Sequence, residues 1–236
     1  MIYDRQQSIL KHLQQCKVST IKELAEIVWT SESSIRRDIK ALEQKGLVTQ
    51  VYGGVILSEY SGGVIPIKLR DSSNSTAKDF IAKEAAKHIF NGATIFMDGS
   101  STVRRIVKYI NSYKELKIIT NNLLIFSECT NPNINIYCTG GRFDNQSHIF
   151  LGCDTEKYIE NINADIAFFS SQAISDKGEI SDVSEEETSL RRKMLFRANK
   201  KIFLCDSSKV GLKKTFSLCS KDDIDLIICD KKLPWK

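Results

Sequence analysis

The hydrophobic and polar positions follow different patterns in the two parts of the chain. Up to about residue 57, apolar side chains recur every three to four residues, as on the buried face of an amphipathic helix. The positions on such faces are Ile9, Leu10, Leu13, Ile21, Leu24, Ala25 and Val28. From about residue 76, helical patterns alternate with short apolar runs at 93–97, 116–119, 134–138, 166–169, 201–205 and 226–229. This alternation predicts an α/β fold with a mostly parallel sheet covered by helices.

Two helix starts are marked by capping boxes, in which a short polar side chain and an acid or amide three residues later satisfy free N–H groups. Asp4 with Gln7 predicts a start near residue 4, and Thr20 with Glu23 predicts one near residue 20. A third helix is predicted after the turn at 29–31, and Gly46 ends it.

The third helix separates apolar from cationic positions. Ile35, Ile39 and Leu42 fall on one stripe of a helical wheel. The other side carries hydroxyls and cations, namely Ser33, Arg36, Arg37 and Lys40. A helix with this distribution can pack on its neighbours and still enter a DNA major groove.

A short hairpin is predicted after the third helix, with strands at 47–51 and 55–57 around the Tyr52-Gly53-Gly54 turn. Three helices and a hairpin in this order predict a winged helix-turn-helix. Residues 1–57 hold eight basic and six acidic residues, so their basicity is local to the third helix. An ordinary solvated helix face would explain the charges alone, and the order of the elements favours DNA binding.

A stretch rich in Gly, Ser and Asn separates the two patterns and predicts a linker over 58–75. The expected domains are therefore a DNA-binding domain at 1–57 and an α/β domain at 76–236. In the second domain, polar loops follow several strands, and the carboxyl ends of parallel strands meet at one crevice. The first such loop, 98–102, also precedes a helix, whose N-terminal N–H groups favour an anion.

Composition narrows the class of protein. The 236 residues are 42% hydrophobic and 27% charged, which excludes a disordered chain, and the formal net charge of +5 permits a nucleic-acid partner. The seven cysteines form no C-x-x-C pair and read as reduced, buried thiols. We expect no metal, no cofactor, no catalytic residue and no membrane span, and therefore a cytoplasmic protein.

The chain resembles the DeoR family of bacterial transcription regulators. The resemblance is carried by Ser31-Glu32-Ser33-Ser34-Ile35-Arg36-Arg37-Asp38-Ile39-Lys40-Ala41-Leu42-Glu43-Gln44-Lys45-Gly46-Leu47, followed by Val51-Tyr52-Gly53-Gly54-Val55. It implies a winged helix-turn-helix joined to a sensor domain whose fold is similar to ribose-5-phosphate isomerase. The implied function is a repressor of a carbohydrate-utilisation operon, a homodimer or homotetramer that binds double-stranded operator DNA and is released by a phosphorylated sugar.

The resemblance and the patterns together give two candidate sites. The candidate DNA contacts are Thr20, Ser31, Ser33, Ser34, Arg36, Arg37, Lys40, Tyr52 and Gly53. The candidate effector contacts are Asp98, Gly99, Ser100, Ser101, Thr102, Thr120, Asn121, Gly140, Gly141, Gly152 and Lys209.

The chain departs from the family pattern in the sensor domain. Gly99 and Ser100 stand in exchanged places, Ser170 and Ala173 replace glycines, and Arg191 replaces a lysine. Two alternatives therefore stay open, namely a regulator with a degenerate effector pocket and an isomerase-like enzyme fused to a DNA-binding domain. For such an enzyme the candidate bases are Asp98, Asp206, Glu186 and Glu187, although Glu185-Glu186-Glu187 is more simply interpreted as the solvated start of a helix.

Overall fold

The computed structural model describes residues 2–51, 53–58 and 67–234. Within these ranges, no helix combines the length and the apolar character needed to cross a bilayer. The contacts divide the chain into two compact units, the head (Met1–Ser73) and the body (Asn74–Lys236). The range predicted as a linker, 58–75, includes a short helix at Ile67–Ser72, and its residues 59–66 lie outside the described chain.

The described part of the head contains four helices and three short strands. In chain order they are α1 (Ile2–Cys16), β1 (Val18–Ser19), α2 (Ile21–Ile27), α3 (Glu32–Gln44), β2 (Val48–Val51), β3 (Gly54–Leu57) and α4 (Ile67–Ser72). The antiparallel β2–β3 hairpin is the predicted wing, with Val51 opposite Gly54. The winged helix-turn-helix predicted from the sequence is confirmed.

One of the two predicted capping boxes is present. Thr20 Oγ1 accepts a hydrogen bond from Glu23 N, and Glu23 Oε2 accepts one from Thr20 N, so the predicted capping box at α2 is confirmed. Helix α1 begins at Ile2, two residues before the predicted start, so Asp4 lies inside the helix and is not its N-cap.

The head core is made from the apolar faces of its three long helices and the wing. Its buried members are Ile9, Leu13, Leu24, Ala25, Ile35, Ile39, Leu42, Val48, Val55 and Leu57. Strand β1 was not predicted, because two residues are too few to show a strand period. It pairs with β3 and completes a three-stranded sheet in the order β1-β3-β2.

The body alternates strands with helices. Its strands are β4 (Thr94–Met97), β5 (Leu116–Thr120), β6 (Ile134–Cys138), β7 (Arg142–Asp144), β8 (Ile149–Leu151), β9 (Ala164–Phe169), β10 (Ala173–Ile174), β11 (Glu179–Asp182), β12 (Ala198–Cys205), β13 (Phe216–Ser220) and β14 (Leu226–Cys229). Its helices are α5 (Ser75–Ala86), α6 (Ser101–Arg104), α7 (Leu123–Glu128), α8 (Cys153–Glu160) and α9 (Glu185–Phe196). Further 3-10 helices lie at Arg105–Tyr109, Ser207–Lys209 and Lys221–Asp223.

The six apolar runs predicted as strands form one parallel sheet in the order β14-β12-β9-β4-β5-β6. Its two faces are covered by separate apolar clusters, one around Phe168 and Met97 and the other around Phe96, Phe169 and Phe203. The α/β class and the mostly parallel sheet are confirmed. Because neighbouring strands run in the same direction, the loops after β4, β5, β9 and β12 lie along one edge.

The sequence did not predict the smaller antiparallel sheets. Strands β10, β11 and β13 form a three-stranded sheet, and β7 pairs with β8 in a hairpin. Several of these strands have only two to four residues, which gives too little alternation to distinguish them from loops.

Candidate functional site

The cationic side of α3 is exposed. Arg36, Arg37 and Lys40 are solvent-exposed, whereas Ile35, Ile39 and Leu42 are fully or almost fully buried. Arg36 makes one surface ion pair with Glu32 at 3.5 Å, with its side chain still 64% exposed. Such a pair is weak, so the guanidinium remains available to another anion.

One charged residue of α3 faces the opposite way. Asp38 is buried, and its Oδ2 accepts a hydrogen bond from Arg5 Nε of α1. This pair ties the third helix to the first. The exposed charges of α3 are then its three cations together with Glu32, and Glu43 is half-buried.

The candidate hydroxyls begin the two helices of the helix-turn-helix. Thr20 caps α2, and Ser31 caps α3 by accepting a hydrogen bond from Ser34 N at 3.3 Å. The hydroxyls of Ser33 and Ser34 lie 2.9 and 3.0 Å from that of Ser31. These groups therefore position the exposed first turn of α3. Gly53, in the wing turn, has a φ of +90°, and Tyr52 lies outside the described residues.

In the body, the loop after β4 is organised around the buried carboxylate of Asp98. Its Oδ1 accepts a hydrogen bond from Ser100 N at 3.0 Å, and its Oδ2 accepts one from Ser170 N at 3.1 Å. Ser100 in turn caps α6 by accepting a bond from Val103 N. Asp98 thus joins the loops that follow β4 and β9.

The buried side chain of Arg191 completes this arrangement. Its guanidinium donates to Asp98 Oδ2 at 2.7 Å, to Asp182 Oδ2 at 3.1 Å and to Glu187 Oε2 at 2.6 Å. Burial disfavours the charged guanidinium, but the three carboxylates outweigh burial and raise the pKa of Arg191 above its ordinary value. The expectation that Glu187 belongs to a solvated helix start is wrong, because Glu187 lies one turn before Arg191 and faces it.

Lys209 lies beside the same loops. Its Nζ donates to Ser170 Oγ at 3.0 Å and lies 3.7 Å from Asp206 Oδ2. Asp206 Oδ1 accepts a hydrogen bond from Asn74 Nδ2 at 2.7 Å. A continuous polar set, which we call the edge cluster, therefore runs through Asp98, Ser170, Lys209, Asp206 and Asn74. Lys209 is its partly exposed cation, with 21% of its side chain accessible.

The charge of Asp206 is favoured by its neighbours. Burial alone would raise the pKa of this carboxyl. The charge of Lys209, hydrogen bonds from Ser208 and Asn74 and the charge of Lys78 together hold the pKa below its ordinary value. Asp206 therefore stays ionised beside Lys209.

The loop after β5 is covered by the β7–β8 hairpin. Asn121 Nδ2 donates to Phe150 O at 3.0 Å, and Thr120 Oγ1 accepts a bond from Asn122 N at 3.0 Å. Gly99 packs directly under the same hairpin, since a Cβ on Gly99 would lie 2.6 Å from Ile149 Cγ2. This close approach gives a physical reason for glycine at position 99.

Several buried polar atoms in these loops and in the β7–β8 hairpin have no hydrogen-bond partner within the described part of the chain. Thr102 Oγ1 and Asn121 Oδ1 belong to predicted effector contacts, and the others are Asn122 Nδ2, Ser147 Oγ and His148 Nδ1. Buried polar atoms are normally paired, so unpaired ones near a polar crevice indicate a place where water or a ligand can bind. Ser101, the remaining predicted contact of the first loop, is buried in α6.

The three other predicted glycines group around α8. Gly141 has a φ of +107°, and a Cβ there would lie 2.2 Å from Thr155 Oγ1 of α8. The same Thr155 hydroxyl donates to Gly140 O at 2.5 Å, and Gly152 is the N-cap residue of α8. The described contacts of these glycines lead to α8 and not to the edge cluster.

Sequence reasoning missed Asp182 and Asn74 among the polar partners in the body. Both stand in stretches with no recognisable motif, so nothing in the sequence marked them. Arg191 was noticed as a departure from the family pattern, and its spacing of four residues from Glu187 was the available signal.

Neither the cysteines nor any group of potential metal ligands indicates a further site in the described part of the chain. All seven cysteines are free, but the expectation that they are buried is wrong for six of them, since Cys16 and Cys153 are exposed and only Cys205 is buried. A hydrogen bond with Cys229 and burial raise the pKa of Cys205, which makes that thiol unreactive. Across residues 2–51, 53–58 and 67–234, no group of three or more potential ligands could hold a metal ion.

Solved structures with a related fold are distant. A ribose-5-phosphate isomerase in complex with phospho-erythronic acid matches with a TM-score of 0.43 and 15% identity, over 58% of this chain and 54% of that one. The chain thus spans about half the length of that enzyme. The eIF2B delta subunit from Chaetomium thermophilum matches with a TM-score of 0.48 and 15% identity, over 89% of this chain and 68% of that one. Similarity at this level carries no argument about activity.

Relatives of known type align along nearly the whole chain. The HTH-type transcriptional regulator GolR of Listeria innocua is 35% identical over 98% of this chain and 91% of its own. The putative aga operon transcriptional repressor of Escherichia coli O157:H7 is 26% identical over 98% and 87%. A lactose phosphotransferase system repressor of Staphylococcus epidermidis is 29% identical over 97% and 92%.

Two family descriptions match consecutive parts of the chain. The DeoR-like helix-turn-helix domain matches residues 5–60, and the DeoR C-terminal sensor domain matches residues 73–231. Together with the exposed cationic face of α3, these matches agree with the resemblance seen in the sequence. The chain belongs to the DeoR family of helix-turn-helix, DNA-binding transcriptional regulators.

Proposed function

We propose that this regulator represses a carbohydrate-utilisation operon and leaves its operator when a phosphorylated sugar binds the body. The observation that carries the DNA-binding part is the separation of α3 into a buried apolar face and an exposed face with Arg36, Arg37 and Lys40. Cations on an exposed helix of a winged helix-turn-helix can contact phosphates and base edges. Thr20, Ser31, Ser33, Ser34, Tyr52 and Gly53 complete the proposed contact surface.

The proposed effector site lies along the sheet edge at the ends of β4, β5 and β12. Lys209 supplies a partly exposed cation for a phosphate, and the unpaired oxygen atoms of Thr102 and Asn121 can accept hydrogen bonds from sugar hydroxyls. Carbohydrate as the effector class is supported by relatives named as repressors of aga and lactose systems. The proposed contacts remain Asp98, Gly99, Ser100, Ser101, Thr102, Thr120, Asn121, Gly140, Gly141, Gly152 and Lys209.

Regulation requires the sugar to discriminate between two states of the protein. The effector weakens operator binding only if it binds more tightly to the form that cannot hold DNA. We propose a homodimer or homotetramer, because paired heads would read two half-sites of an operator. Light scattering of the full chain measures the number of subunits.

The DNA-binding part is tested with duplexes that the full-length protein selects from a random-sequence library. Arg36→Ala, Arg37→Ala and Lys40→Ala should each weaken binding, and a variant that no longer neutralises one phosphate should show a salt slope smaller by about 0.9. Lys11→Ala, an exposed cation of α1, is the matched control and should leave the slope unchanged. Unchanged binding by all three α3 variants would contradict the proposal.

The effector part is tested by screening sugar phosphates for a rise in melting temperature and then for release of the selected duplex. A compound that does both should lose both effects in Lys209→Met. If no sugar phosphate raises the melting temperature, the effector part fails and a degenerate pocket becomes the better description. The observation that favours this second candidate is that Arg191 and two backbone N–H groups already occupy the carboxylate of Asp98.

We propose no enzymatic activity. A general base needs a lone pair within reach of the proton it removes, and the Asp98 carboxylate is committed to three internal donors. Incubation with ketose and aldose phosphates should therefore give no interconversion. Turnover that Asp98→Asn abolished would overturn this part.

A further inference from the structure

Trp29 is the most exposed of the large hydrophobic side chains that the structure describes in the head. Its side chain is 94% accessible to solvent. It lies in the turn between α2 and α3, which is held by a hydrogen bond from Thr30 N to Ala25 O at 3.0 Å. The fold therefore fixes the backbone of this turn and leaves the indole ring without packing.

The backbone of Trp29 is also strained. Its φ is +52°, in the left-handed region that glycine adopts freely and a bulky side chain disfavours. The tryptophan thus weakens the fold through its backbone, and its ring contributes almost no packing in return. Strain that the fold does not need is a reason to look for a function at the residue.

The position of Trp29 indicates which partner its ring would meet. Trp29 precedes Ser31, the N-cap of α3, by two residues, so their Cα atoms lie within about 7.6 Å. The first two turns of α3 carry the exposed side chains of Ser33, Arg36 and Arg37. The acid at this end, Glu32, is paired with Arg36. The ring is therefore held within reach of the start of the cationic face proposed for DNA, while the exposed side chains of Glu26 and Ile27 lie equally near along the chain. Three exposed cations on α3 against one exposed carboxylate on α2 favour a polyanion as the partner.

We propose that Trp29 is an additional DNA contact, with its ring against a deoxyribose of the duplex backbone and Nε1–H donated to a phosphate oxygen. Indole combines a large apolar face with one donor, which suits a surface made of sugar and phosphate. A contact of this kind positions α3 in the groove and reads no base. The inference rests on the proposed function, since it requires α3 to lie against DNA.

Three variants separate the ring from the backbone strain. Trp29→Phe keeps a ring and the strain, Trp29→Ala keeps the strain without a ring, and Trp29→Gly removes both. Binding of the full-length variants is measured on a library-selected duplex and on a scrambled duplex of equal length. Trp29→Ala and Trp29→Gly should weaken binding to both duplexes by the same factor, about 10-fold, and Trp29→Phe by about 3-fold or less.

Thermal unfolding distinguishes the two variants that lack the ring. Trp29→Gly should melt above Trp29→Ala, because only glycine relieves the positive φ. If Trp29 had a purely structural role, weaker DNA binding would follow a lower melting temperature. The proposal expects Trp29→Gly to be a stable protein that binds DNA poorly.

Fluorescence tests the contact directly. Trp235 is the second tryptophan of the chain, so a Trp235→Phe protein reports Trp29 alone. Adding the selected duplex should quench this emission in proportion to bound DNA, and salt should restore it.

Two results would overturn the inference while leaving the proposed function intact. One is normal DNA affinity in Trp29→Ala and Trp29→Gly when Arg36→Ala is defective. The other is a change in the number of subunits of the Trp29 variants while each head binds DNA with unchanged affinity. That result would assign the ring to an interface between proteins. If Arg36→Ala also binds normally, the proposed DNA-binding surface itself is wrong.

Discussion

Arg191 Nε lies 2.7 Å from Asp98 Oδ2, and both side chains are at most 4% exposed. Asp98 was predicted from the sequence as an effector contact. In the folded body it also anchors α9 to the loop after β4, through the same guanidinium that binds Asp182 and Glu187. Loss of this ion pair should therefore affect both the stability of the body and the shape of the candidate effector site.

Replacing Arg191 by methionine should strongly destabilise the body. The change leaves three carboxylates buried close together without their cation, and breaking a buried ion pair in this way costs about 3 to 5 kcal/mol. Arg191→Lys keeps a charge but lacks the planar fork, so it should lose less. Urea unfolding of the full chain measures the free energy.

The neighbouring Arg192→Met is the matched control for Arg191. Arg192 is exposed on the same helix and donates one hydrogen bond to Ser217 O, so its replacement should cost about 1 kcal/mol or less. If Arg191→Met and Arg192→Met lowered the free energy of unfolding equally, the buried ion pairs of Arg191 would contribute no more to stability than the surface contact of Arg192.

The stability of the body should depend on pH through Asp206. Because folding lowers the pKa of this carboxyl below its ordinary 3.8, its contribution is complete above pH 3.8 and disappears as pH falls through the folded value. Asp206→Asn should thus lower the melting temperature at pH 7, and the two proteins should converge as pH falls through the folded pKa of Asp206. Asp176→Asn, at an exposed turn, is the control and should leave the melting temperature at pH 7 close to that of wild type. A constant difference between wild type and Asp206→Asn would exclude this titration.

The two adjacent glycines after β6 should respond differently to alanine. Gly141→Ala places a Cβ 2.2 Å from Thr155 Oγ1 at a φ of +107°, whereas a Cβ at Gly140 has no atom within 4 Å. Both variants carry a left-handed backbone, since Gly140 has a φ of +66°. Gly141→Ala should therefore be less stable than Gly140→Ala by about 1 to 3 kcal/mol, as measured by chemical denaturation. The reverse order would contradict the packing of these glycines against α8.

The head should depend on Asp38 for stability and not for DNA contact. Asp38→Asn removes the charge that Arg5 meets in the partly buried pair between α1 and α3, in which the Arg5 side chain is 26% exposed, so the melting temperature should fall. At a temperature where the head stays folded, the salt slope of DNA binding should equal that of wild type, because the same number of phosphates is neutralised. A reduced slope would place Asp38 or Arg5 at the DNA.

The fold and the cationic helix face were accessible from sequence because both depend on local periodicity. The spacing of Ile35, Ile39 and Leu42 fixes which side of α3 is buried, and the cations on the other side then face solvent by geometry alone. The six apolar runs likewise predicted six strands, because a strand covered on both faces is apolar along its length.

The candidate effector site was predicted only in part. The loops after β4, β5 and β12 were found because polar residues follow apolar runs. Asp182 and Asn74 were not marked by any motif, and Ser170 was noticed only as a departure from the family pattern. Asn74 lies 132 residues from Asp206, and Ser170 lies 72 residues from Asp98 and 39 from Lys209. A local sequence pattern does not indicate which of these side chains will be in contact in the folded body.

By itself, the sequence determined the long helices and the wing of the head, the six strands of the parallel sheet, their buried faces and the order of a DNA-binding head and an α/β body, because short-range spacing decides which side chains share a face. Only the tertiary structure decided that Arg191 meets Asp98, Asp182 and Glu187, and that Lys209 joins Ser170. Those contacts depend on which strands become neighbours in the sheet, which the packing of the whole body determines.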